Sequence, residues 1–207
     1  MDGNELRLQW RSLAGLDNET TPDSEPPGLR PIRLRKVAER RMLKTFDRHL
    51  YRVDATLLTV LGGLVTGKRP WPLYLWGPVG TGKTCAALAL CDAVQLAWYD
   101  TVGELVDRIM AGRSATDWEL LGSPAYDLVV LDEIGERTSD VYRSAVKRVC
   151  DIRELHKRSA VYVSNLPPEE LNSGMGFEDD RVADRLLCGT VFYLDGPSRR
   201  MPEGGTQ

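Results

Sequence analysis

The sequence has little material for a metal centre built on nitrogen or sulfur. It contains two histidines, His49 and His156, and four scattered cysteines, Cys85, Cys91, Cys150 and Cys188, with no CxxC pair. That distribution argues against a zinc site or a disulfide framework, and for buried reduced thiols in a cytoplasmic protein. No apolar run approaches the roughly 18 residues a membrane-spanning helix needs. The first ten residues, MDGNELRLQW, lack the basic-then-apolar order of a secretory signal. No internal repeat is visible. Charge of one sign is also missing overall, because the formal net charge is only −3.

What is present suits one α/β domain with a short extension: 207 residues, 42% hydrophobic and 28% charged, enough for a sizeable core. Residues 1–31 carry Pro22, Pro26, Pro27 and Pro31 among Asp, Glu, Ser and Thr. Such a stretch buries too little apolar surface to offset its ordering entropy, which predicts a flexible tail. Residues 32–55 are expected to form a basic amphipathic helix, with Leu34, Ala38, Met42, Phe46 and Leu50 recurring every four residues. Nine Lys or Arg residues stand between Arg30 and Arg52 against two acids, Glu39 and Asp47. That face is either a contact for nucleic acid or an acidic partner, or simply a solvated surface.

From residue 56 to about 200 the sequence alternates helix and strand. Thr56 to Val65 is expected to be a helix ending in the Gly67–Pro70 turn. Strands are expected at Leu73–Trp76, Gln95–Tyr99, Leu128–Asp132, Ala160–Ser164 and Val191–Leu194. Helices are expected from Lys83 through Leu90 or beyond, at Val102–Met110 and at Asp140–Lys157. This order implies a mostly parallel sheet with helices on both faces. Residues 201–207 read as a flexible tail.

Gly77-Pro78-Val79-Gly80-Thr81-Gly82-Lys83-Thr84 matches GxxxxGK[ST] in full. Glycines let the backbone curl so that successive amide hydrogens face an anion, and the next helix presents its positive end. Lys83 is suited to the β- and γ-phosphates of ATP, and the Thr84 hydroxyl to Mg²⁺. The loop has the context it requires, an apolar strand before it and a helix-forming run after it.

About fifty residues on, Leu128-Val129-Val130-Leu131 ends in Asp132-Glu133. A buried strand delivers both acids to the carboxyl end of the sheet, where open α/β sheets bind ligands. Asp132 is the expected metal holder and Glu133 the group that polarises the attacking water. The phosphate-loop strand and this strand are expected to be neighbours. Asn165, at the end of the next strand, is either a third contact at the γ-phosphate or part of a turn. Arg181 and Arg185 share one helix face. They are either Asp–Arg surface pairs or a source of the guanidinium that a neighbouring subunit's γ-phosphate receives. Trp98, Tyr99 and Trp118 are either stacking groups for single-stranded DNA or fillers of the core rim.

In this order the motifs resemble the DnaC/IstB-like branch of the AAA+ ATPases, over roughly residues 45–200. GPVGTGKT is similar to its Walker A motif and LVVLDEIG to its Walker B. SNLPPEEL resembles the sensor 1 region, which puts that role on Asn165. DDRVADRL resembles the arginine-finger segment, with Arg185 the best match and Arg181 second. GPSRR resembles the sensor 2 stretch, through Arg200 or Arg199. The resemblance implies a P-loop AAA+ fold without a full C-terminal helical lid, and Mg²⁺-dependent ATP hydrolysis in an oligomeric ring or spiral. It further implies delivery of a replicative helicase onto single-stranded DNA. Two alternatives go with it: a transposition helper acting on duplex DNA, and a nucleotide-gated adaptor with negligible turnover. The chain departs from helicase loaders in having only 50–60 residues before the core.

Overall fold

The computed structural model describes residues 55–93, 97–112, 118–119, 121, 126–175 and 181–198. The expected tail at 1–31, nearly all of the basic helix, Arg199, Arg200 and residues 201–207 lie outside them.

Helix α1 (Ala55–Val65) forms because Leu57, Val60, Leu61 and Leu64 recur at helical spacing, and all four are buried. It stops at Gly67, whose φ of 71° supplies the left-handed residue that satisfies the last turn through Gly67 N–H to the Leu64 carbonyl. Then follow β1 (Leu73–Trp76), α2 (Lys83–Ala93), β2 (Ala97–Thr101), α3 (Val102–Met110) and β3 (Leu128–Ile134). Helix α4 (Asp140–Leu155), β4 (Ser159–Ser164), a 3-10 turn at Pro168–Glu170, α5 (Leu171–Met175), α6 (Arg181–Leu187) and β5 (Thr190–Tyr193) complete the order.

The five strands form one parallel sheet in the order β2-β3-β4-β1-β5. Alternate side chains divide it into two cores. Leu73, Leu75, Leu128, Val130, Val161 and Val163 face α1 and α2, while Tyr74, Val129, Leu131, Ala160 and Tyr162 face α3, α4, α5 and α6. Burial on both faces explains why β3 and β4 read as continuous apolar runs. Strands β1 and β3 are not neighbours as expected: β4 lies between them. This follows from pairing Val161 with both Leu73 and Val130.

Only β1 has the expected bounds; β4 begins one residue early at Ser159, β5 spans Thr190–Tyr193 rather than Val191–Leu194, and β2 and β3 run further at their carboxyl ends. Strand β2 runs on through Asp100 and Thr101, which pair with Leu131 and Asp132. Thr101 then caps α3 by accepting from Glu104 N–H at 3.0 Å. Strand β3 continues past its acids to Ile134, which pairs with Ser164 after a register shift. Three cysteines, Cys85, Cys91 and Cys150, are buried as expected, but Cys188 is exposed.

Helix α4 buries Tyr142, Ala145, Val146, Val149, Cys150 and Arg153, an unbroken helical stripe in which the last member is charged. Arg153 donates to the carbonyls of Leu121 (2.8 Å), Tyr126 (3.4 Å) and Ser159 (2.6 Å), so it ties the entries of β3 and β4 together. Burial pushes its guanidinium down to about 10 from its ordinary value, which leaves it charged at neutral pH. Arg153→Ala would leave three carbonyls without their donor and a hole beside them. The expected loss in a denaturant titration is about 3 kcal/mol or more.

Candidate nucleotide site at the carboxyl end of the sheet

The loop between β1 and α2 can curl only because of its glycines. Gly77 has φ 146°, and a Cβ there would collide with the carbonyl oxygen of Leu194. Gly80 has φ 87°, and a Cβ there would collide with Ser198. The strand after the loop's own strand in space, β5, thus sends its following segment directly over the loop. Lys83 is 7% exposed, and its ammonium donates to the carbonyls of Gly77 and Pro78, each at 2.7 Å. Thr81 is buried and donates to the Pro78 carbonyl at 3.0 Å. Val79, at the tip, is exposed.

Across the sheet, Asp132 is 2% exposed, and a carboxylate so buried needs partners. Its Oδ2 accepts from the Thr84 hydroxyl at 2.8 Å and from the Tyr99 hydroxyl at 2.7 Å, while Oδ1 accepts from Glu133 N–H at 2.8 Å. The hydroxyl and carboxylate expected to hold a hard cation are therefore in contact, an oxygen donor set that suits Mg²⁺. Glu133 is half-buried with φ 64°, a left-handed conformation costing about 1–3 kcal/mol for a non-glycine residue. Asn165 is exposed directly after β4, between the ends of β1 and β3. The structure brings Lys83, Thr84, Asp132, Glu133 and Asn165 to one end of the sheet.

A five-stranded parallel sheet in this order, with a glycine loop entering α2 and paired acids near the carboxyl end of β3, decides the architecture. The fold is a P-loop α/β fold, a parallel sheet flanked by helices. Among the described residues, no helix follows β5. No family profile matches this chain, and none of the curated proteins does. Among solved structures it is similar to that of DnaI, with a TM-score of 0.54 and 16% identity over 92% of this chain and 93% of that one. A protein described as a primosome component from Streptococcus pyogenes serotype M3 gives 0.57 and 17%, over 76% and 85%. The replication initiator DnaA bound to AMPPCP and single-stranded DNA gives 0.58 and 19%, over 69% of this chain but 46% of that one. The chain thus spans less than half the length of that DnaA chain.

The arginine candidates lie elsewhere in this fold. Arg185, on α6, makes ion pairs with Asp151 and Glu154 of α4. With Trp71, Pro72, Arg153 and Arg158 it lines a cavity of about 270 Å³. Trp71 and Pro72 precede β1 and Arg158 precedes β4, so this is the amino end of the sheet, opposite the phosphate loop. Arg181 is exposed at the start of α6. Arg199 and Arg200 directly follow Ser198, the residue lying against Gly80, but are outside the described residues.

The three aromatic candidates are engaged at the core rim. Trp98 meets Tyr126 edge-on at 5.4 Å, and Arg108 lies over it. Trp118 is half-buried with the Arg148 guanidinium 4.3 Å over its ring. Tyr99 is the residue that sequence reasoning missed at the site. No spacing announces it, since its contact with Asp132 arises only because β2 is laid beside β3.

Proposed function

We propose that the chain is an Mg²⁺-dependent ATPase of DNA replication that assembles with copies of itself and places a replicative helicase on single-stranded DNA. The observation carrying the ATPase part is the Thr84–Asp132 contact beneath a complete glycine loop, with Glu133 next in the chain. Loop amides and Lys83 grip the triphosphate, and Thr84 with Asp132 hold magnesium. The ion, when bound, neutralises charge on the β- and γ-phosphate oxygens. Tyr99 holds the Asp132 carboxylate in place. Glu133 takes a proton from the attacking water, and Asn165 steadies that water or the γ-phosphate from between the two strand ends. Arg185, or else Arg181, serves the next subunit's phosphate, and Arg200 or Arg199 reaches the phosphates from the segment crossing the loop.

The replication part is supported by the fold shared with DnaI and with a DnaA whose structure holds AMPPCP and single-stranded DNA. The chain's own alternatives, a transposition helper or a silent adaptor, differ from it in partner and in turnover.

Lys83→Ala tests the loop. A charged hydrogen bond contributes about 1.5–3 kcal/mol, so affinity for an ATP analogue with magnesium is expected to fall roughly 10- to 100-fold. Calorimetric titration reads it, with the melting temperature as control. Unchanged affinity would remove the loop from the mechanism.

A further inference from the structure

Ser164 ends β4 at the point where three functional strands finish side by side. Its Cα partners are Trp76, which precedes Gly77, and Ile134, which follows Glu133. Strand pairing alone holds the tip of β3 poorly there. The register shifts between Leu131 and Ile134, and Glu133 sits at φ 64° within that shift.

One hydroxyl spans the irregular stretch. Ser164 Oγ donates to the Ile134 carbonyl at 2.7 Å and accepts from Leu166 N–H at 3.0 Å. Its two partners are the residues immediately after Glu133 and immediately after Asn165. Ser164 is 1% exposed, so water does not compete for either bond. Leu166 is fixed further. Its carbonyl accepts from the Tyr74 hydroxyl at 2.9 Å. Its side chain fills the spaces at Gly135 and Gly174, where an added Cβ would come within 2.5 and 2.7 Å of Leu166 Cδ1. The loop carrying Asn165 is thereby anchored to β1 by Tyr74 and packed against Gly135. The serine hydroxyl is the bond that joins it to the backbone of β3.

We propose that Ser164 is a positioning residue for hydrolysis, holding Glu133 and Asn165 at a fixed separation through its single hydroxyl. This rests on the reading of Glu133 as the group that polarises water. Ser164 acts through the backbone on either side, by its bonds to Ile134 and Leu166. Loss of the hydroxyl frees the β3 tip to relax from its left-handed residue, and misplacement of a catalytic group by about 1 Å costs on the order of 100-fold in rate.

The test uses the full chain as wild type, Ser164→Ala, Ser164→Thr and Glu133→Gln. Turnover, KM for MgATP, affinity for a non-hydrolysable analogue and melting temperature are measured for each. Ser164→Ala is expected to lose about 10- to 100-fold in kcat, with KM and analogue affinity within about twofold of wild type. Ser164→Thr, which restores the hydroxyl, is expected to recover most of kcat. A kcat for Ser164→Ala within twofold of wild type would overturn the proposal. So would a parallel loss of analogue affinity, the mark of a merely structural serine, or a threonine variant that binds the analogue normally yet turns over as slowly as alanine. If threonine does not fold, the split between kcat and affinity in Ser164→Ala decides alone. Should Glu133→Gln turn over at the wild-type rate, the reading of Glu133 fails first and this proposal falls with it.

Discussion

Glu133→Gln is expected to keep nucleotide affinity and lose about 10²- to 10⁴-fold in turnover, the span a positioned general base contributes. The substitution is nearly isosteric and leaves the buried Asp132 contacts with Thr84 and Tyr99 untouched. Glutamine at φ 64° meets the same backbone cost as glutamate, so the melting temperature is expected to stay put. Phosphate release with and without single-stranded DNA checks the rate, and an ATP-analogue titration checks the grip. A variant that binds and turns over like wild type would leave the strand-end acid without a role. The same form, holding ATP, is the bait for identifying the partner. Recovery of a replicative helicase supports the proposed task, whereas recovery of a transposase favours the transposition alternative.

Arg185→Ala is the second large effect. In the assembled protein, turnover is expected to fall at least about 10³-fold, the range over which a supplied guanidinium acts on phosphoryl transfer. In dilute monomer, binding and basal rate are expected to stay as in wild type. Arg185 sits at the far end of the sheet from its own phosphate loop, beside Trp71 and Pro72. Its pairs with Asp151 and Glu154 are partly exposed, with the arginine 31% accessible, so breaking them would cost at most about 1 kcal/mol each. The two open readings therefore separate cleanly. A surface ion pair predicts a small drop in stability and unchanged turnover at every concentration. Equal loss in monomer and assembly would instead place the arginine in its own subunit's chemistry. Rate measured against protein concentration distinguishes them.

The parts of the fold that were legible in the sequence are those with a strong local signal. The glycine loop could be placed because its backbone conformation demands glycine at Gly77 and Gly80. Strand β3 could be placed because a sheet covered on both faces requires an uninterrupted apolar run. Strand order was not legible in the same way. Nothing in Leu73–Trp76 or Leu128–Asp132 states that β4 divides them, and so the neighbouring arrangement expected from sequence was wrong. The contacts that depend on that order were hidden for the same reason. Tyr99 reads as an ordinary strand aromatic until β2 lies against β3. Ser164 reads as the polar end of a strand until Ile134 is opposite it. Arg153 was concealed differently, because a charged residue on a helix reads as solvent-facing unless carbonyls are waiting beneath it. Sequence spacing did bring Lys83, Thr84, Asp132, Glu133 and Asn165 to one end of the sheet, since each directly follows, or belongs to, an element whose direction is set by the alternation of strand and helix.

Helix α4 leaves β3 at the nucleotide end and delivers Asp151 and Glu154 to Arg185 at the other. Sixteen residues at 1.5 Å each make a strut about 24 Å long. A strut of that stiffness keeps the two halves of the proposed chemistry apart within any one chain, like a bolt and its socket welded to opposite ends of a bar. Only a queue of such bars, each bolt seated in the next socket, would complete a working pair, so the catalytic unit would be a junction between molecules.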